Sequence, residues 1–131
     1  MKRILPLILG FVLLALLSSC GQSTTYKITQ TSADAKAELE ISPYPPRAME
    51  PVEMILSLKD SQGNPLVVEN VEFDLTMPAM DMPENKPQSS FEGDGLYRVQ
   101  ALFTMAGDWR IRVSFDYAGE TTTLDFDLSV K

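Results

Sequence analysis

Three methionines fall within six residues in Met77-Pro78-Ala79-Met80-Asp81-Met82-Pro83. A fourth, Met105, follows in Phe103-Thr104-Met105-Ala106-Gly107-Asp108-Trp109. Methionine offers a neutral, soft thioether sulfur, the ligand type that selects copper(I), or its analogue silver(I), over harder ions. A thioether has no proton to lose, so such a site keeps its ion across a wide pH range. Three thioethers on one short turn can supply a trigonal site. Pro78 and Pro83 restrict that turn in advance and lower the entropy lost on closing it around an ion. The candidate metal ligands are therefore Met77, Met80, Met82 and Met105.

The same residues have a packing interpretation. Methionine is a common filler of hydrophobic cores. Met77 continues the inward-facing set Val71, Phe73 and Leu75, and Met105 continues Tyr97, Val99, Ala101 and Phe103, so both can close the end of a core. Met54 is in phase with its own strand, and Met49 stands beside a proline cluster with no partner in view. Met80 and Met82 lie in a polar loop beyond the strand, where a core role does not easily reach. Exposed, they would serve either a soft metal or a protein-binding patch.

The remaining composition narrows the chemistry. The chain has 131 residues, with 18 acidic and 11 basic side chains, one cysteine and no histidine. Without histidine there is no Ser-His-Asp or Cys-His relay, and the commonest nitrogen ligand for zinc, iron or copper(II) is missing. Asp81, Glu84, Asp94 and Asp108 are expected at one end of the domain. They show no calcium-loop spacing and are expected as a solvated acidic face rather than a hydrolytic pair. No enzymatic activity is expected.

The N-terminus reads as a targeting segment. Lys2 and Arg3 precede an apolar run from Ile4 to Leu17 that is interrupted only by Pro6 and Gly10. Its 14 residues are fewer than the ~20 a membrane-spanning helix needs, and match a signal-peptide core. The run ends in Leu17-Ser18-Ser19-Cys20-Gly21, which resembles the lipobox of bacterial lipoproteins; an ordinary secretory signal with an incidental cysteine is the alternative. The resemblance implies that residues 1–19 are removed and that Cys20 becomes a lipidated N-terminus, anchored in an extracytoplasmic membrane. If the cell is Gram-negative, Gln22 in place of aspartate favours the outer membrane. Cleavage takes Lys2 and Arg3 and leaves 9 basic against 18 acidic side chains, a net charge of −9. So acidic a domain is a poor partner for nucleic acid and gains no electrostatic grip on anionic lipid. Residues 20–34, rich in Ser, Thr and Gln, read as a flexible tether of roughly 45–50 Å when extended, with Tyr26-Lys27-Ile28 as a possible edge strand.

The domain proper is expected over residues 35–131. Apolar residues alternate with polar ones around Ala37–Ile41, Val52–Leu58, Val71–Met77, Tyr97–Met105, Trp109–Tyr117 and Leu124–Val130, with a further short strand near Gln88–Glu92. Period-two patterns with one apolar face mark half-buried antiparallel strands. Turn residues separate them in Asp60-Ser61-Gln62-Gly63-Asn64-Pro65, Gly93-Asp94-Gly95, Ala106-Gly107-Asp108 and Ala118-Gly119. Six or seven short strands and no helical period indicate an all-β, immunoglobulin-like antiparallel sandwich. Pro43, Pro45 and Pro46 suit a bend from one sheet to the other. With its single cysteine assigned to lipid, the domain depends on its apolar core alone.

The three blocks Met77-Pro78-Ala79-Met80-Asp81-Met82-Pro83, Gly95-Leu96-Tyr97 and Phe103-Thr104-Met105-Ala106-Gly107-Asp108-Trp109 occur in an order that resembles the YtkA-like domain, a small β-sandwich similar in turn to FixH-like proteins. The resemblance implies a setting near copper-handling and metal-efflux components. It therefore implies a copper-handling or membrane-protein partner, and a role as copper(I) carrier, buffer or oxidase-assembly helper. The absence of histidine confines that role to copper(I). The alternative is an accessory lipoprotein that binds no metal and docks a membrane partner through its Met- and Pro-rich loop. In the same blocks Gly95 and Gly107 are expected to serve turns, Trp109 the core, and Tyr97 the core with its hydroxyl near an edge.

Overall fold

The computed structural model describes residues 24–131, and these residues form eight strands and no helix. The strands are β1 Tyr26–Thr31, β2 Lys36–Ser42, β3 Pro51–Lys59, β4 Glu69–Thr76, β5 Ser89–Phe91, β6 Leu96–Leu102, β7 Gly107–Tyr117 and β8 Glu120–Val130. They make two antiparallel sheets, one ordered β1-β2-β3-β6-β5 and the other β4-β7-β8. The expected all-β, immunoglobulin-like sandwich is the fold. Residues 1–19, expected as a signal peptide, and Cys20, the expected lipid attachment point, lie outside the described residues.

The alternation in the sequence is the alternation of burial. In β2, Ala37, Leu39 and Ile41 are buried and the residues between them are not; β3 repeats this with Val52, Met54, Leu56 and Leu58. From the facing sheet come Phe73, Leu75, Trp109, Ile111, Val113, Phe115, Leu124, Phe126 and Leu128. Phe103 and Trp109 pack edge to face with ring centroids 5.1 Å apart, a favoured aromatic geometry. No buried side-chain nitrogen or oxygen among the described residues lacks a partner. Such a core needs no disulfide at this domain size.

Tyr97 pins the two sheets together. Its hydroxyl donates to the carbonyl of Val68 at 3.2 Å and accepts from the Val68 N–H at 3.0 Å, fixing the chain where it leaves the first sheet for the second. Beyond it, β4 carries a bulge between Glu69 and Glu72, with Asn70 at φ 53° and its amide bonded to Asp116 at 2.7 Å.

Three expectations change. Within the segment expected as a tether, the edge strand raised for Tyr26-Lys27-Ile28 is present and longer, running over residues 26–31 as β1 and paired with β2 from Tyr26↔Ile41 to Thr31↔Lys36. Only Ile28 in β1 is even half-buried, so the strand has no apolar face to reveal it and is held by backbone pairing. Pro43, Pro45 and Pro46 do not carry the chain between sheets, because β2 and β3 are neighbours in one sheet. The loop instead arches over the end of the sandwich: the Pro46 carbonyl accepts from the Lys131 N–H, the Ala48 N–H donates to the Lys131 carbonyl, and the chain returns to β3. Finally, β6 stops at Leu102, so Met105 lies outside the strand that was expected to carry it.

Candidate methionine site

Both methionine-bearing turns lie at the same end of the sandwich. β4 runs out at Thr76, paired with Arg110 near the start of β7, and the Phe103–Ala106 turn leads directly into β7 at Gly107. Asn85 closes the base of both. Its carbonyl accepts from the Leu75 N–H at 2.9 Å in one sheet, and its side-chain amide donates to the Leu102 carbonyl at 3.1 Å in the other. The segment between Leu75 and Asn85, holding Met77, Met80 and Met82, is thus a loop clamped at its neck.

The four expected residues are brought together unequally. Met77 is 9% exposed and belongs to the core, and its methyl presses against Gly107, where a Cβ would lie 2.8 Å from it. Gly107, at φ 134°, both makes the turn and leaves room for that methyl. Met82 folds back against the core, half-buried, and its sulfur accepts from the Met77 N–H at 3.2 Å. Met80 is 47% exposed, with its N–H bonded to the Met77 carbonyl at 3.2 Å in the tight turn through Pro78 and Ala79. Met105 is 38% exposed, and its carbonyl accepts from the Trp109 indole N–H at 2.9 Å.

Two of these placements depart from the phase of the sequence. Met105 does not continue the buried set of β6, because the chain turns after Phe103 to enter the opposite sheet. Met82, expected wholly in a polar loop, packs partly on the core. The result is graded: Met77 and Met82 in contact below, Met80 and Met105 open above.

Sequence reasoning missed two residues here. One is Asn85, whose clamping role has no signal in composition or period. The other is Met49, 64% exposed, whose N–H donates to the Phe103 carbonyl at 2.8 Å and so stands beside the turn that carries Met105. Met49 adopts φ 63°, a conformation uncommon for a side chain of this kind. The β3–β6 register, with Pro51 opposite Leu102, is what brings it there, and that pairing was the signal available.

The acidic residues do not gather as expected. Asp81, Glu84 and Asp108 lie at the methionine end, but Asp94 lies at the other, in the turn where Gly95 accepts from the Leu58 N–H. Asp108 accepts from the Ser129 hydroxyl and Glu84 pairs with Lys86. Among the described residues no three His, Cys, Asp or Glu side chains are grouped to hold a metal ion. The soft donors concentrated at this end are thioethers.

The model of the YtkA-like family matches residues 29–114, more than half of the sequence. The chain belongs to the YtkA-like family. The match spans the methionine loop, the Gly95-Leu96-Tyr97 block and the turn before Trp109, and it begins within β1. No curated protein matches the sequence. Among solved structures, the YtkA-like chain is similar to a DUF4426 family protein from Pseudomonas aeruginosa, with a TM-score of 0.56 at 12% identity over 79% of this chain and 94% of that one. It is also similar to a DUF4785 family protein from Legionella pneumophila, with a TM-score of 0.53 at 11% identity over 75% of this chain and 28% of that one. At such identities the likeness is one of fold.

Proposed function

We propose that this YtkA-like protein is a lipid-anchored extracytoplasmic lipoprotein that binds copper(I) through methionine thioethers and acts as a carrier, buffer or oxidase-assembly helper. The observation that carries the reading is the placement of Met77, Met80, Met82 and Met105 in two adjoining turns, on a neck clamped by Asn85. A soft ion gains from such a rigid base, because less loop entropy is lost on closing the coordination shell. Met82 would exchange its weak contact with the Met77 N–H for the ion. Met49 is a further thioether within the same surface. Nothing in this donor set titrates, and with Cys20 lipidated no thiol competes for the ion.

Competition against a chromogenic copper(I) chelator tests the reading. The protein is expected to withdraw one copper(I) ion at micromolar affinity or better, and to lose this ability in Met80→Ala/Met82→Ala. Failure of the unmodified protein to compete ends the proposal. The second reading, a metal-free accessory lipoprotein whose Met- and Pro-rich loop docks a membrane partner, draws on the exposure of Met49, Met80 and Met105. It predicts no copper affinity and a co-purifying membrane protein that is lost with the 77–83 loop.

A further inference from the structure

The way the chain enters the fold determines which end of the sandwich faces the membrane. Thr24 is already fixed, its carbonyl accepting from the Tyr44 N–H at 2.7 Å, and the Tyr26 ring stacks on Tyr44 with centroids 4.3 Å apart. Tyr44 belongs to the loop between β2 and β3, which also carries Met49 and meets Phe103 and Lys131. The N-terminal segment therefore leaves the fold at the methionine end. Between Cys20 and Thr24 the chain can span at most about 14 Å. The domain is longer than that: the 11 residues of β7 extend over roughly 37 Å. An anchor at Cys20 keeps the near end within about 14 Å of its attachment point, whereas the far end, with Ser61 and Gly119, reaches the bilayer only when the domain lies on its side.

The near end is also the apolar one. Of the seven large hydrophobic side chains exposed among the described residues, Tyr26, Met49, Met80, Leu102 and Met105 lie there. Tyrosines with one face packed and one edge wet favour the membrane interface. The charges around them are mixed, with Arg47 and Lys131 against Glu50, Asp81 and Asp108, so the contact draws on apolar burial rather than on attraction to anionic lipid.

We infer that the methionine-rich end rests on the lipid headgroup layer of the membrane that holds Cys20, opening its thioethers at the membrane surface rather than toward bulk solvent. This rests on the lipid-anchor part of the proposed function and is independent of metal binding. The folded domain has no cysteine, so single introduced cysteines report position. The acylated protein is reconstituted in phosphatidylcholine vesicles, with a fluorophore on Asp81→Cys or Ser61→Cys and quencher lipids labelled in the headgroup.

Flotation with the vesicles verifies the anchor; a protein that does not float removes the anchor reading and this inference with it. For protein that floats, quenching at position 81 is expected to exceed that at 61 several-fold. Inserting 20 Gly/Ser residues after Ser23 is expected to reduce the difference. Equal quenching at the two positions, or more at 61, overturns the inference while leaving the anchor intact. Quenching at 81 that scales with protein density rather than quencher lipid identifies a second copy as the occupant and likewise overturns it.

Discussion

The backbone N–H of Met77 points at the sulfur of Met82, 3.2 Å away. Sulfur is a weak acceptor, so this bond holds the loop without holding it hard. Met77 is committed to the core, whereas Met82 is half-buried at its edge, held by this bond and by its packing on the core.

That division gives the first prediction. Met80→Leu alters an exposed side chain and is expected to change stability by less than about 0.5 kcal/mol. Combined with Met82→Leu, it is expected to abolish copper(I) competition while the thermal midpoint moves by only a few degrees. Chelator titration and calorimetry on the same samples read the two effects separately.

Met77 should behave differently. Met77→Ala opens a cavity beneath Gly107 and is expected to cost about 2–5 kcal/mol, whereas Met77→Leu keeps the volume and should cost less than about 1.5 kcal/mol. Denaturant unfolding measures both. Copper(I) affinity that falls in the stable Leu variant assigns the Met77 sulfur to the ion; unchanged affinity confines it to the core.

Asn85 links the two turns to the two sheets. Asn85→Ala removes the amide bond to Leu102 but keeps the backbone bond to Leu75. It is expected to cost about 1 kcal/mol and to raise local hydrogen exchange at Met80 to Met82 and at Thr104 to Met105. Exchange that rises only in the 77–84 loop would show that the clamp does not reach the second turn.

The pH response follows from the carboxylates. Asp125 and Asp127 are held below the ordinary carboxylate range by hydrogen bonds from Arg112 and Arg110, Asp116 by Asn70 and Thr121, and Glu92 by Arg98. A group whose folded pKa is depressed stabilises the fold above its unfolded pKa and loses that contribution as pH falls through the folded value. Stability is therefore expected to decline below about pH 4, and with no histidine to titrate, to stay level between about pH 5 and 8. Copper(I) affinity by thioethers should be as level over that range. Unfolding and chelator curves at pH 5 and 7.5 check both; an affinity that drops with acid would implicate a titrating ligand.

Much of the fold was legible because burial and alternation are the same pattern in β2, β3, β4, β6, β7 and β8. β1 was barely legible, since an edge strand held by its backbone leaves no apolar stripe. The methionines of the loop could be picked out by type and spacing, but their depths could not. Whether Met105 points in or out depends on where β6 ends, and where Met82 rests depends on a bond to Met77. Met49 joined the group only through a pairing of distant strands, and Asn85 through two contacts that leave no trace in local sequence.

The graded exposure of the methionines also sets the order in which oxidants would reach them. A thioether open to solvent is converted to the sulfoxide far sooner than one sealed in a core, and sulfoxides are enzymatically reducible. Met49, Met80 and Met105 would be struck first, while Met54 and Met77 stay shielded. Damage would fall on the surface of the domain and leave its interior standing, so that an oxidised molecule remains folded and open to repair.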